Sequence, residues 1–284
     1  MAKIIDGKAL AQSIKENIAR EVDALKEKGV TPGLAVILVG DDPASKVYVN
    51  NKKKACAQVG IYSEEYLLPA DTDEKTLLDL IAKLNADKNI SGVLLQAPIP
   101  PHLDYRKISE TISPDKDVDA FHPYNVGKIM IGDFDFVPCT PAGVIELIKS
   151  TGTEIAGKNC VVIGRSNIVG KPQAMLFLKE NGTVTVCHSK TKDIASFTRG
   201  ADILVVAVGK AGFVNGDMIK PGAVVIDVGM NRNAEGKLCG DVDFASAEPV
   251  AAYITPVPGG VGPMTVTMLL KNTVKAAGLA NGIG

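Results

Sequence analysis

Cys160-Val-Val-Ile-Gly-Arg-Ser-Asn-Ile-Val-Gly-Lys-Pro172 reads as a buried strand, a tight turn and a helix opened by proline. A short apolar run followed by glycine suits a strand covered on both faces. Pro172 fits only the first turn of a helix, where its missing N–H costs nothing. A turn of this kind aims backbone N–H groups and a helix N-terminus at a pyrophosphate. It departs from G-x-G-x-x-G, because Ser166 holds the middle glycine position and Gly164 and Gly170 are spaced one residue too far. The strand–turn–helix–strand context still favours a dinucleotide site over a plain αβ turn. The next strand ends at Cys187-His188-Ser189-Lys190. A NAD site usually places a carboxylate there for the ribose 2′-hydroxyl. Ser189 and Lys190, with Arg165 in the glycine turn, offer donors instead, which suits the 2′-phosphate of NADP.

Outward from that stretch, helical and strand patterns alternate, which argues α/β with mainly parallel sheets. Strands are expected at Asn159–Ile163, Thr183–Cys187, Ala201–Val208 and Ala223–Val228, after a helix over 142–150. The bracketing prolines of Pro138-Cys-Thr-Pro141 mark a change of unit. Before them, helices near 7–28 and 73–86 alternate with strands at Gly33–Gly40, Glu64–Leu68 and Gly92–Gln96. Ser113–Asp135 reads as loop, and a last helix is expected over Met264–Ala277 after the rigid loop Thr255–Pro263. The architecture expected is two αβα domains with a cleft between them, the second Rossmann-like. Residues 1–140 would form one and 141–264 the other.

Composition excludes several classes of function. Apolar residues make up 46% and charged residues 22% of the 284, ordinary for a globular protein. With 31 basic against 32 acidic side chains, no general field draws nucleic acid or an anionic membrane. The apolar runs are strand-sized and far short of a membrane span. The N-terminus lacks a basic-then-apolar signal pattern. Five scattered cysteines without C-x-x-C fit a reduced cytoplasmic protein, and three histidines without ligand spacing imply no metal.

A second informative stretch is Tyr48-Val-Asn-Asn-Lys52. Asp41-Asp42-Pro43 supplies an N-cap and first-turn proline, and Gly60 a stop. On the helix between them Tyr48, Lys52, Ala55, Cys56 and Val59 fall on one stripe. A lysine on an apolar face must be paired, snorkelling or chemically active. Tyr-x-x-x-Lys is also the pair of short-chain dehydrogenases, but there the glycine turn precedes it. Here the order is reversed.

Taken with further motifs, the chain resembles the bifunctional methylenetetrahydrofolate dehydrogenase/methenyltetrahydrofolate cyclohydrolase family over nearly its whole length. The resemblance rests on Ser45–Lys52, Gly92–Pro100, Asp115–Asn125, Gly164–Gly170 and Pro256–Thr265, in the family's order. It implies NADP-dependent oxidation of 5,10-methylenetetrahydrofolate to the methenyl cation, then hydrolysis to 10-formyltetrahydrofolate. Lys52 matches the family's catalytic lysine, Gln96 the glutamine that hydrogen-bonds it, and Tyr48 the stacking tyrosine. Asp119 matches the pterin-binding aspartate, whereas Asp115 and Asp117 read as solvated loop acids. Pro258, Gly259, Gly260, Val261 and Gly262 should lie over the folate. Gly164, Arg165, Ser166, Ser189 and Met230 should contact NADP, with Met230 at the nicotinamide end. A homodimer is implied as well, and so is the return of the C-terminal helix, 265–284, to the domain of residues 1–140. Two departures stand beside the site: Ala97 where Leu is usual, and Ala120 where Gly is usual. A monofunctional dehydrogenase and a non-catalytic NADP- or folate-binding protein are the rival readings.

Overall fold

In a computed structural model, described over residues 1–283, strands and helices alternate almost throughout. Strand β1 (Lys3–Ile4) and helix α1 (Gly7–Glu27) lead to β2 (Gly33–Val39), α2 (Pro43–Val59), β3 (Tyr62–Leu68), α3 (Glu74–Ala86) and β4 (Gly92–Leu95). Short helices α4 (Tyr105–Ser109) and α5 (Pro123–Ile131) precede α6 (Cys139–Ser150). Next come β5 (Asn159–Ile163), α7 (Gly170–Lys179), β6 (Thr183–Cys187), α8 (Ile194–Thr198), β7 (Ile203–Val206) and β8 (Val224–Asp227). The hairpin β9 (Asn231–Arg232) and β10 (Leu238–Cys239), then α9 (Phe244–Ala247), β11 (Tyr253–Ile254) and α10 (Val261–Ala280), follow.

Contacts divide the chain into two units. One joins Ser13–Val137 to the residues from Val266 onward. Its three-stranded sheet runs in the order β3-β2-β4, all parallel. The chain steps from β2 to β3 on one side, then returns to β4 on the other. That reversal makes a switch point between the carboxyl ends of β2 and β4, where open α/β sheets take ligands. Strand β2 is buried at every position, which explains its unbroken apolar run. Leu77, Ile81 and Leu84 of α3 pack into one core with Ile37, Val93 and Leu95. Burying each such side chain stabilises the fold by roughly 1.5–3 kcal/mol.

Helix α2 has the ends its sequence announces: Asp42 accepts from the Ser45 N–H at 2.7 Å and Gly60 is left-handed at φ +80°. Its buried face differs from the expected stripe. Ser45, Val49, Ala55, Cys56 and Val59 are buried, while Lys52 is half-buried and Tyr48 is exposed. Helix α5 corrects the loop expected over 113–135. His122 caps it by accepting from the Tyr124 N–H at 3.1 Å, Pro123 opens it, and Gly132 ends it at φ +78°. The start and stop signals were present, but nine residues carry too little periodicity to outweigh the surrounding acids and prolines.

The other unit joins Met1–Gln12 to Pro138–Thr265. Its six-stranded sheet has the order β1-β11-β8-β7-β5-β6, with every neighbouring pair parallel. The chain goes outward from β5 to β6 and returns to β7, so a second switch point lies between β5 and β7. This is the doubly wound, Rossmann-like arrangement. Residues 1–12 group here rather than with 13–137, because β1 pairs with β11 at the sheet's edge. A two-residue strand has no periodicity by which sequence could place it.

Candidate active site

Gln96 leaves the carboxyl end of β4, and its N–H still donates to the Ile37 carbonyl of β2 at 2.8 Å. The ladder thus continues one residue past the strand and fixes the glutamine at the switch point. Its Nε2 donates to the Ala97 carbonyl at 2.6 Å, which turns Oε1 toward α2. There Oε1 accepts from Lys52 Nζ at 2.7 Å. A glutamine so oriented leaves its acceptor, not its donors, for the ammonium. Tyr48, one turn before Lys52, keeps 39% of its surface open.

Asp119 follows a short bridge to the same sheet. Asp117 forms a parallel bridge with Val93 of β4, and Asp119 lies in the turn just after it, which the Ala120 N–H closes by donating to the Asp117 carbonyl at 3.0 Å. Asp117 is no solvated loop acid. It is buried and accepts from the His122 N–H at 2.8 Å and Asn125 Nδ2 at 2.9 Å. Asn272 of α10 donates to the Val118 carbonyl at 2.7 Å and so pins the segment from the other side. Ala120 follows with φ +57° and is fully buried. The left-handed backbone explains why glycine suits that position. Burial pushes the Tyr105 phenol up to about 12, with the Asp119 and Asp117 charges adding to the effect. Tyr105 therefore remains a neutral hydroxyl beside the two carboxylates.

In the other unit, the glycine turn closes over the β5–β7 switch point. Gly164 has φ +132°, and a Cβ there would lie 2.3 Å from the Ala207 carbonyl oxygen. Ser166 closes the turn before the helix, its Oγ accepting from the N–H groups of Val169 at 3.1 Å and Gly170 at 3.3 Å. Arg165 and Ser166 are exposed. At the end of β6, Ser189 is also exposed, in a turn shaped by His188, whose Nδ1 accepts from the Lys190 N–H at 3.2 Å. Met230, just beyond β8, is half open to solvent.

The loop after β11 is shorter than expected. Pro258 and Gly259 form its turn, Gly259 at φ +111°, but Val261 and Gly262 already belong to the first turn of α10. Gly260 and Val261 are buried, leaving Pro258, Gly259 and Gly262 as the accessible members. The sequence reading also passed over Asp227 and Asp241, two buried acids near Met230. An aspartate closing the apolar run Ala223-Val-Val-Ile-Asp227 was the available signal.

Residues 5–119 match the model of the tetrahydrofolate dehydrogenase/cyclohydrolase catalytic domain, and residues 138–281 that of the family's NAD(P)-binding domain. The bifunctional protein FolD of Acetivibrio thermocellus is 63% identical, the match covering 98% of each chain. The crystal structure of the FolD enzyme from Campylobacter jejuni superimposes with a TM-score of 0.96 at 48% identity, over 99% of this chain and 100% of that one. The Trypanosoma brucei dehydrogenase-cyclohydrolase, solved with NADP cofactor and an inhibitor, gives a TM-score of 0.94 at 43% identity, over 99% and 98%.

Proposed function

The chain belongs to the tetrahydrofolate dehydrogenase/cyclohydrolase family, and from that premise we propose that it oxidises 5,10-methylenetetrahydrofolate with NADP and hydrolyses the product to 10-formyltetrahydrofolate. The observation that carries this reading is the Lys52–Gln96 hydrogen bond at the carboxyl end of β4. A family member that had lost the hydrolytic step would have little need of a lysine held there.

The folate is assigned to the unit of Ser13–Val137 and NADP to that of Pro138–Thr265. When bound, NADP supplies the hydride acceptor. The Gly164–Gly170 turn would offer its pyrophosphate the backbone N–H groups that Ser166 does not hold, Arg165 and Ser189 would offer donors to its 2′-phosphate, and Met230 would flank its nicotinamide end. The exposure of Arg165 and Ser189, with no carboxylate at the end of β6, supports NADP over NAD. The protein's contribution to oxidation is alignment of the substrate's methylene carbon, for which Tyr48 provides an open aromatic face and Asp119 a carboxylate for the amino-pyrimidine edge.

Hydrolysis asks more of the side chains. Water adds to the cationic methenyl carbon and loses one proton to give a neutral carbinol. The bond to one ring nitrogen then breaks as that nitrogen gains a proton. The carbinol hydroxyl loses its own proton to become the formyl carbonyl, so that one proton is released overall. Lys52 in its neutral form takes the proton from water and its ammonium returns one to the nitrogen, while Gln96 holds the amine in place. We assign the protein to the cytoplasm as a homodimer; among the described residues no helix is long and apolar enough to cross a membrane.

The test is to mix the protein with 5,10-methylenetetrahydrofolate and NADP and follow NADPH with and without an acid quench. Methenyl product that increases on acidification, together with NADPH, demonstrates both steps. NADPH without that increase leaves a dehydrogenase alone, and no NADPH refutes the reading.

A further inference from the structure

Two buried carboxylates in the unit of Pro138–Thr265 have no part in the two reactions as described. Asp227 ends β8 and Asp241 follows the β9–β10 hairpin; their exposures are 4% and 0%. A buried carboxylate is costly unless its oxygens are fully hydrogen-bonded. Both are. Asp241 Oδ2 accepts from the N–H groups of Val208 at 2.6 Å and Gly209 at 2.9 Å, and its Oδ1 accepts from the Lys210 N–H and Asn231 Nδ2, both at 2.8 Å. Asp227 Oδ1 accepts from the N–H groups of Gly229 and Asp241, and Oδ2 from that of Val242, each at 2.9 Å. Burial, with a smaller contribution from the Asp241 charge, pushes the Asp227 carboxyl up to about 6 against the pull of those three donors.

The placement of these bonds matters more than their number. Three successive N–H groups converging on one anion form a nest of the kind that elsewhere binds phosphate. Here the anion is the chain's own Asp241. Val208–Lys210 is the loop leaving β7, one wall of the β5–β7 switch point. Asn231, the first residue of β9, directly follows Met230 in the segment leaving β8. One carboxylate therefore ties together the loops at the carboxyl ends of two adjacent strands, on the edge where a doubly wound sheet takes its ligand. The packing leaves no slack: a Cβ on Gly229 would lie 2.3 Å from Asp241 Cγ, and one on Gly240 would lie 1.8 Å from Asp227 Oδ2.

We propose that Asp241, seated on Asp227, is a positioning residue of the dehydrogenase: it holds the Val208–Lys210 and Met230–Asn231 loops in the shape that receives the nicotinamide half of the cofactor. This rests on the cofactor reading above. Being fully buried, Asp241 acts through those loops and not by touching the cofactor.

The test compares the full-length wild type with Asp241→Asn in three assays: NADP titration, NADPH formation from 5,10-methylenetetrahydrofolate, and hydrolysis of preformed 5,10-methenyltetrahydrofolate without nucleotide. Asparagine keeps the shape but turns one acceptor into a donor facing donors. NADP affinity and dehydrogenase kcat/KM should fall by about 10- to 100-fold, with hydrolysis within about twofold of wild type. A common fall in all three, or no fall in the first two, overturns the proposal. Should Asp241→Asn not fold, Asn231→Ala decides in its place: it removes one of the four bonds, and the same split, smaller in size, is expected. An unchanged ratio of the two activities in Asn231→Ala overturns the proposal. If wild type bound NADP but oxidised nothing, the proposed function would fail, and the NADP titration of the variants would still decide the role of Asp241.

Discussion

The two units solve the same topological problem with different materials. Each has a strand from which the chain goes out to one side and returns on the other, β2 in one and β5 in the other. In each, candidate residues stand beyond the carboxyl ends of strands: Gln96 after β4 in one, and Gly164, Ser189 and Met230 after β5, β6 and β8 in the other. Around β2 they are polar side chains, namely Lys52 held by Gln96, the open Tyr48, and Asp119 on a pinned segment. Around β5 the surface is largely backbone, with glycines at the turn and N–H groups held by Ser166 and Asp241. A side-chain site can lose its chemistry without losing its fold. A backbone site cannot be altered without disturbing the fold around it.

That contrast sets the order of expected effects. Lys52→Met should lower hydrolysis of the methenyl compound by about 10²–10⁴-fold while melting and NADP binding stay near wild type. Parallel loss of NADP binding would erase the distinction between the units. Gly164→Ala should do both kinds of damage, since its methyl would press on the Ala207 carbonyl. Destabilisation of about 1–3 kcal/mol in chemical denaturation is expected, with NADP binding weakened at least about tenfold. A stable variant with unchanged affinity would show that the turn is not the phosphate cradle. Arg165→Ala should be milder: NADP weakens by about tenfold, or 1.4 kcal/mol, and NAD hardly at all. Equal weakening of both nucleotides in titration would remove Arg165 from the 2′-phosphate.

The smallest effect belongs to Ala120. Replacing it with glycine relieves a left-handed alanine worth about 1–2 kcal/mol but gives up a buried methyl worth about 0.8 kcal/mol. Ala120→Gly should thus raise stability slightly, by under about 1 kcal/mol, and leave hydrolysis unchanged. A clear fall in stability on thermal or urea unfolding would mean that the methyl's packing outweighs the backbone strain.

Most of this architecture was legible in the sequence where elements are long and their signals local. The caps of α2, the unbroken apolar run of β2 and the strand–turn–helix at Cys160–Pro172 all fold as their residues indicate. What sequence could not supply came from distant partners. Strand β1 exists only because β11 lies beside it. Asp117, read as a solvated acid, is buried because Val93, His122 and Asn125 gather around it. The Lys52–Gln96 contact joins residues 44 apart and was reachable only through resemblance to a family. Asp241 escaped notice for the same reason, since its donors lie up to 33 residues away. Tyr48 shows the opposite error: its helical spacing placed it on the apolar stripe, but the buried face of α2 is rotated away from it.

The most direct test of the claim that the two units do separate work is nucleotide-free hydrolysis of 5,10-methenyltetrahydrofolate, measured for Lys52→Met and Arg165→Ala side by side. The account predicts that Arg165→Ala hydrolyses at the wild-type rate while Lys52→Met is all but inactive. Hydrolysis that survived in Lys52→Met, or that fell equally in both variants, would contradict it.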